Sequence, residues 1–294
     1  MKSVSKTRTY LAAVILLASL LFSPVLLAQG MPTNQVWLLP LVNDVPGAPK
    51  LISQATRYNN QPHFSADSRV VYFTAEQEDG QTDVWSYDIA SERRSAISHS
   101  PESEFSPTPM PGLNAVSVIR VEADQRQRLW SINTDDGEAT LLMPDVGPVG
   151  YHAWISEDTA ALFILGDVMT LHRSKRGKGP SVQMAENIGR TLRRHPATGE
   201  ALYVDKNVEP WWIAAMDFNS RDSTRVMPLF PGVEDFEVDS AGRFWTGSGS
   251  KIYRSHSQNS QWGLLMDLKE YGLDNISRLA VSPDGAWLAI VVSP

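Results

Sequence analysis

Three histidines are the side chains most able to do chemistry, because each precedes a turn that recurs along the chain. His63, His152 and His195 lie two, four and one residues before their turns. If the strands that carry them surround one axis, imidazoles from successive units could meet on a metal ion. Because side chains alternate along a strand, the unequal offsets predict that the three imidazoles lie on different faces of their strands or at different depths in the channel. Separate histidines are favoured over a shared metal site, and we expect no cofactor.

Two other segments could bind a partner. Glu209-Pro210-Trp211-Trp212 places two adjacent tryptophans on a predicted strand, where they must face opposite sides. One can be core, and the other could stack on a sugar or a protein. Lys175 and Arg176 lie in the basic, glycine-rich tip of residues 174–179, which is either an anchor for an anionic group or a soluble turn. We expect a partner to contact loops at one face of the molecule, with these four side chains as candidates.

Recognisable catalytic signatures are missing from the sequence. It contains no G-x-S-x-G, H-E-x-x-H, phosphate-binding loop or dinucleotide fingerprint. The segment Gly247-Ser248-Gly249-Ser250 is predicted to be a hairpin tip. With no cysteine in the chain, disulfides, thiolate zinc sites and cysteine nucleophiles are excluded. Catalytic residues are therefore not predicted.

The first thirty residues have the pattern of a secretory signal. Lys2, Lys6 and Arg8 precede an apolar run from Leu11 to Leu27, and small residues follow it. We predict a signal peptide over 1–30, with an uncleaved inner-membrane anchor as the alternative, and one domain over 31–294. Cleavage would change the formal net charge from −7 to about −10. Such an acidic protein is unsuited to nucleic acid or an anionic membrane surface, and the lack of cysteine is compatible with a bacterial periplasm.

A repeat of about 43 residues organises the remainder of the chain. Apolar strands flank six turn motifs spaced 40 to 47 residues apart, and two further short strands follow each of the first five. The motifs are Ser65-Ala66-Asp67-Ser68, Pro109-Met110-Pro111-Gly112, Ser156-Glu157-Asp158-Thr159, Pro196-Ala197-Thr198-Gly199, Asp239-Ser240-Ala241-Gly242 and Ser282-Pro283-Asp284-Gly285. Four short strands per repeat of this length are typical of a β-propeller blade.

The last repeat has only two strands before the sequence ends. Residues 35–39 and 48–52 have the character of the missing third and fourth strands. We therefore predict an all-β, six-bladed β-propeller in which residues 35–55 pair beside residues 276–293. Closure of this kind leaves no open sheet edge at the joint of the ring.

These repeats resemble the WD40-like (PD40) repeats of TolB-like propellers. Ser282-Pro283-Asp284-Gly285 matches that pattern fully, while Phe64 to Asp67 and Asp83-Val84-Trp85 match it in part. The resemblance implies a fold rather than a chemistry, and the chain has no room for the α/β domain that precedes the propeller of TolB. TolB's lipoprotein partner is therefore not carried over.

Two classes of function remain open. The first is an exported, non-catalytic scaffold, periplasmic or secreted, that presents loops to an envelope protein or glycan. The second is a small propeller enzyme, lactonase-like or lyase-like, with a metal in the central channel. Three or more ligand side chains converging from the innermost strands would favour the second class.

Overall fold

The computed structural model describes residues 30–177, 179–256 and 261–294. The predicted signal peptide, apart from Gly30, lies outside the described residues, as does Lys178 of the basic tip. Within the described ranges no helix has both the length and the apolar character needed to cross a membrane. Residues 31–294 form a single compact unit.

The described strands form six antiparallel sheets. The first three strands, which belong to the closing sheet, are β1 (Gln35–Val42), β2 (Val45–Pro46) and β3 (Lys50–Leu51). The next two sheets contain β4 (Asn59–Phe64), β5 (Val70–Glu76), β6 (Thr82–Asp88) and β7 (Arg93–Ala96), then β8 (Ser103–Pro109), β9 (Ala115–Val121), β10 (Gln127–Asn133) and β11 (Ala139–Leu141).

The remaining strands complete the ring. The third and fourth sheets contain β12 (Val149–Trp154), β13 (Thr159–Ile164), β14 (Thr170–Lys175) and β15 (Val182–Glu186), then β16 (Ile188–Arg194), β17 (Ala201–Asp205), β18 (Trp212–Met216) and β19 (Ser223–Pro228). The last strands are β20 (Glu237–Val238), β21 (Phe244–Ser248), β22 (Lys251–Ser255), β23 (Trp262–Asp267), β24 (Ile276–Val281) and β25 (Trp287–Val292), with one 3₁₀ turn, Leu268–Tyr271.

Each innermost strand contacts the next one around the ring, and the last, β24, contacts the first, β4. In order, these strands are β4, β8, β12, β16, β20 and β24. This closed circuit confirms the predicted six-bladed β-propeller. Apolar side chains that project between neighbouring sheets form its core. One cluster joins Val36 and Val291 of the closing blade to Phe73 of the first, and another joins Leu39 and Ile290 to Trp245 of the fifth.

Three of the six predicted turns owe their shape to a serine and an aspartate two residues apart. The serine hydroxyl donates to the aspartate carboxylate, and a backbone N–H beyond the turn donates back to the serine oxygen in each case, which tightens the hairpin. The Oγ to Oδ1 distances are 2.7 Å for Ser65 and Asp67, 2.8 Å for Ser156 and Asp158, and 2.6 Å for Ser282 and Asp284.

The two ends of the propeller domain meet in one sheet, as predicted. β1 pairs antiparallel with β25 from Gln35 opposite Val292 to Pro40 opposite Trp287, and β24 lies on the other side of β25. The turn after β1 also contacts the fifth blade, because Asp44 accepts two hydrogen bonds from Arg243, at 2.6 and 3.0 Å. The closing blade is thus fixed on both sides.

Strand direction divides the loops between two faces. In each blade the first turn and the connection between third and fourth strands lie at one end, which we call the turn face. Connections between second and third strands and between blades, such as residues 97–102 and 229–236, lie at the opposite end, which we call the loop face.

Candidate ligand chamber in the central channel

The channel contains a small chamber lined by the innermost strands. Its cavity volume is about 30 Å³, enough for one or two water molecules or one small polar group. Gln61, Ser106, Tyr151, His152 and three arginines contribute to its wall; the arginines are Arg190, Arg193 and Arg278.

Irregularities in five of the six innermost strands bring these residues into the channel. The strand register shifts between Asn60 and His63, Phe105 and Thr108, Val149 and Tyr151, Ile188 and Leu192, and Ile276 and Arg278. A bulge changes which side chain points off the sheet, and bulges concentrate beside functional sites. Five of them surrounding one cavity mark the chamber as the candidate site.

Two of the bulged residues have a left-handed backbone. Gln61 and Ser106 both have φ of +57°, a region that non-glycine residues rarely occupy. The Gln61 side chain stabilises this arrangement, because its Oε1 accepts from Thr74 Oγ1 at 3.0 Å and from the Ser106 backbone N–H at 2.9 Å. The Ser106 hydroxyl is buried and has no hydrogen-bond partner. A polar group is therefore available in the chamber wall.

Two of the arginines are paired with buried carboxylates. Arg193 Nε donates to Glu237 Oε2 at 2.9 Å. Arg278 lies with one nitrogen 3.6 Å from Asp235 Oδ1, and another donates to Tyr151 Oη at 2.9 Å. These pairs neutralise most of the arginine charge that the bulges bring into the channel.

Arg190 is the exception. Its backbone N–H donates to Glu234 Oε1 at 2.7 Å, but that carboxylate is paired with Lys206 Nζ at 3.0 Å. The Arg190 guanidinium makes no hydrogen bond or ion pair with the part of the chain that the structure describes, and its buried Nε has no partner. The chamber thus contains one guanidinium whose nearby carboxylate, that of Glu234, is shared with Lys206.

The histidines predicted from the sequence divide between two places. His63 and His152 line the same chamber. Burial is the main cause that lowers the pKa of both imidazoles to about 3, with a smaller contribution to His63 from the Arg193 charge. Both rings are therefore neutral at physiological pH. His195 lies at the turn face, where its Nδ1 accepts from the backbone N–H groups of Ala197 and Thr198.

Position along the chain explains this division. His63 and His152 lie within the innermost strands β4 and β12, whereas His195 follows the end of β16 and belongs to the turn. His152 Nε2 is 2.6 Å from Ser117 Oγ, and the Nδ1 atoms of His63 and His152 are buried without partners. Among the described residues, no group of three or more His, Asp or Glu side chains is placed to hold a metal ion.

The other predicted contact residues lie at opposite faces, so the expectation that one face carries them all is wrong. Trp211 and Trp212 stand at the start of β18, at the loop face, while Lys175 ends β14 and Arg176 follows it, at the turn face. β14 and β18 are equivalent third strands, so their opposite ends lie at opposite faces. Lys175 Nζ is 3.5 Å from the carboxylate of Asp158, beside the first turn of its own blade.

Trp211 lies in a groove of about 290 Å³ at the loop face, which we call the Trp211 groove; it is formed by residues 209–211 and 229–233. Lys206 Nζ lies 4.3 Å from the centre of the Trp211 ring. Phe230, on the other wall, stacks on Tyr253 with ring centres 4.3 Å apart. Trp212 is half-buried and paired within the sheet, with Asp205 and Pro228 as its neighbours.

Comparisons with known proteins connect the chain to propellers by structure alone. No family model and no curated protein matches the sequence. The putative TolB of Agrobacterium tumefaciens superposes with a TM-score of 0.69 at 11% identity, over 90% of this chain and 100% of that one. A gluconolactonase, XC5397 of Xanthomonas campestris, superposes at 0.60 with 12% identity, over 90% and 97% of the two chains.

A third similar structure is an oligogalacturonate lyase in complex with manganese, with a TM-score of 0.57 and 12% identity over 84% of this chain and 80% of that one. At such identities the likeness establishes the six-bladed fold and does not choose between binding and catalysis. TolB-like propellers and enzymes both occur among the similar structures.

Sequence reasoning missed the arginines and Tyr151 of the chamber. Each lies at or beside a bulge, and no residue pattern locates a bulge within an otherwise regular strand. One signal was present: Arg190, Arg193 and Arg278 are charged residues in segments that the repeat assigns to innermost strands. A charge at such a position must be paired or functional.

Proposed function

We propose that this protein is an exported, non-catalytic β-propeller scaffold, periplasmic or secreted, that binds a protein or glycan of the bacterial envelope through its loop face. The Trp211 groove is the observation that carries this proposal. It joins two aromatic side chains, Trp211 and Phe230, on connections from different parts of the fourth blade. Aromatic surface of this kind stacks on sugar rings and anchors protein interfaces.

The rigidity of the groove supports a binding role. The Leu229 backbone N–H donates to the Trp211 carbonyl at 2.7 Å, which joins the two walls directly. Phe230 is supported from below by Tyr253 and by the edge of Trp262, whose ring centre lies 6.1 Å away. A preformed aromatic surface loses little conformational entropy on binding, which favours affinity.

The geometry of the chamber gives less support to a metal enzyme. Its carboxylates are engaged by arginines, its two histidines are not joined by a third ligand among the described residues, and its volume is small. A hydrolase or lyase of this fold would need open coordination positions and room for a substrate. The scaffold proposal therefore places the partner at the loop face.

Opposite placement of the candidate residues makes the proposal testable. Trp211→Ala should reduce capture of the envelope partner by the immobilised mature protein at least tenfold. The matched control is the double variant Lys175→Ala with Arg176→Ala, which alters the turn face and should bind normally. Equal binding by wild type and Trp211→Ala, with both variants folded by circular dichroism, would overturn the proposal. Loss only in the double variant would move the site to the turn face.

A further inference from the structure

The central chamber has more positive than negative side chains around it, and partner binding at the loop face does not account for this excess. Three guanidinium groups, from Arg190, Arg193 and Arg278, contribute to its wall, and two carboxylates, from Asp235 and Glu237, are paired with two of them. The carboxylate nearest Arg190 is already paired with a lysine. Arg190, Arg193, Arg278 and Lys206 are thus balanced by only three carboxylates, those of Asp235, Glu237 and Glu234. The described residues leave one positive charge in surplus around this partly enclosed space, and a bound anion would neutralise it.

Further unpartnered groups lie in the same wall. His152 is 5% exposed and its Nδ1 has no hydrogen-bond partner, and the buried hydroxyl of Ser106 has none either. Arg190 Nε is buried in the same condition. The Nδ1 of His63, in the same wall, is the fourth. Buried polar groups normally find partners, so four without one around a single cavity indicate a missing polar group.

We propose that the chamber binds the carboxylate group of a small acidic ligand, with the Arg190 guanidinium as its principal counter-charge and His152 and Ser106 as neighbouring polar groups. One surplus positive charge matches one carboxylate better than a doubly charged phosphate. The small volume favours a planar carboxylate over a tetrahedral anion. Guanidinium groups recognise carboxylates through paired N–H donors.

The bulges support a functional origin for this arrangement. Left-handed backbone at Gln61 and Ser106 is unfavourable for residues that carry a side chain, and such strain clusters at ligand sites. The register shift between Ile188 and Leu192 spans Arg190 itself, and the shift between Ile276 and Arg278 ends at the paired arginine. Irregular backbone is therefore present at the level of the chamber in five of the six innermost strands.

Arg190→Gln tests the proposal on the mature protein. The probes are ¹³C-labelled acetate, ¹³C-labelled succinate and unlabelled inorganic phosphate, each added at constant ionic strength in chloride buffer. We expect a carboxylate probe to raise the melting temperature and its ¹³C resonance to broaden with wild type, and binding to weaken at least tenfold in Arg190→Gln. Arg126→Gln is the matched control, because Arg126 is exposed and paired with Asp124 at 2.6 Å outside the chamber. That variant should bind the probes like wild type.

Stability without ligand separates a binding arginine from a structural one. Since Arg190 is unpaired, Arg190→Gln should melt in chloride buffer at or above the wild-type temperature. A clear drop in the melting temperature of Arg190→Gln would indicate a structural role and overturn the proposal. Three binding results would also overturn it: equal carboxylate binding by Arg190→Gln and wild type, no binding of either carboxylate, or a preference for phosphate. The Trp211 experiment is independent of all these results, so the two proposals can fail separately.

Discussion

Closure of the ring by β1 should contribute a large share of the protein's stability. Deleting Met31 to Ile52 removes four fully buried or nearly fully buried apolar side chains, Val36, Leu38, Leu39 and Ile52. At about 2 kcal/mol each, their burial is worth about 8 kcal/mol, of the same order as the roughly 5–15 kcal/mol that stabilises a whole domain. The truncated chain should therefore aggregate or lose its cooperative unfolding transition, with the edge of β25 exposed.

A single substitution gives the same test in a chain that still folds. Leu39 is fully buried against Trp245 and Leu268, so Leu39→Ala should cost about 3 kcal/mol, or about 6–12 °C in melting temperature. The control is Val42→Ala in the same strand, because Val42 is 64% exposed and should change stability by less than about 0.5 kcal/mol.

Thermal and urea unfolding, both followed by tryptophan fluorescence, would measure the two variants and the truncation. The closure reasoning is refuted if the truncated protein melts within about two degrees of the intact domain, or if Leu39→Ala and Val42→Ala destabilise equally. Equal unfolding slopes for wild type and Leu39→Ala would show that the substitution changes stability and leaves the amount of surface exposed on unfolding unchanged.

Three further outcomes are expected. Burial, aided by a nearby carboxylate, raises the pKa of Asp83 to about 6. Its protonated form therefore stabilises the fold, and that contribution is lost as the pH rises through about 6. Asp83→Asn should flatten the dependence of melting temperature on pH between about pH 4 and 7 and raise stability at the upper end. Gly247→Ala should destabilise the protein by about 1–3 kcal/mol in urea unfolding, because the new methyl would lie 2.2 Å from Ile276. Gly166→Ala is its control, because there the new methyl meets only a backbone oxygen, at 3.4 Å. His195→Ala should leave carboxylate binding, measured by the ¹³C titration, unchanged, since that ring lies at the turn face.

Much of the fold could be predicted from local residue patterns. The Ser-x-Asp turns impose their own hairpins through contacts between residues two to five apart, as at Ser282 and Asp284, so each can be recognised without the rest of the chain. The spacing of all six turn motifs, 40 to 47 residues, then predicts the number of blades. Pairing of β1 with β25 was predictable for a similar reason, because one repeat lacked two strands and the opposite end of the domain supplied strands of the right character.

Only the tertiary structure assembled the candidate site. The side chain at Arg190 enters the chamber because its strand is bulged, and the bulge depends on neighbouring strands rather than on local residue preference. Likewise, Trp211 and Lys175 belong to equivalent strands, yet lie at opposite faces because one begins its strand and the other ends it. The periodicity of the sequence predicts which residues are buried. Strand direction, register shifts and the pairing of buried charges are collective properties of the closed ring, and they decide where polar groups are left without partners.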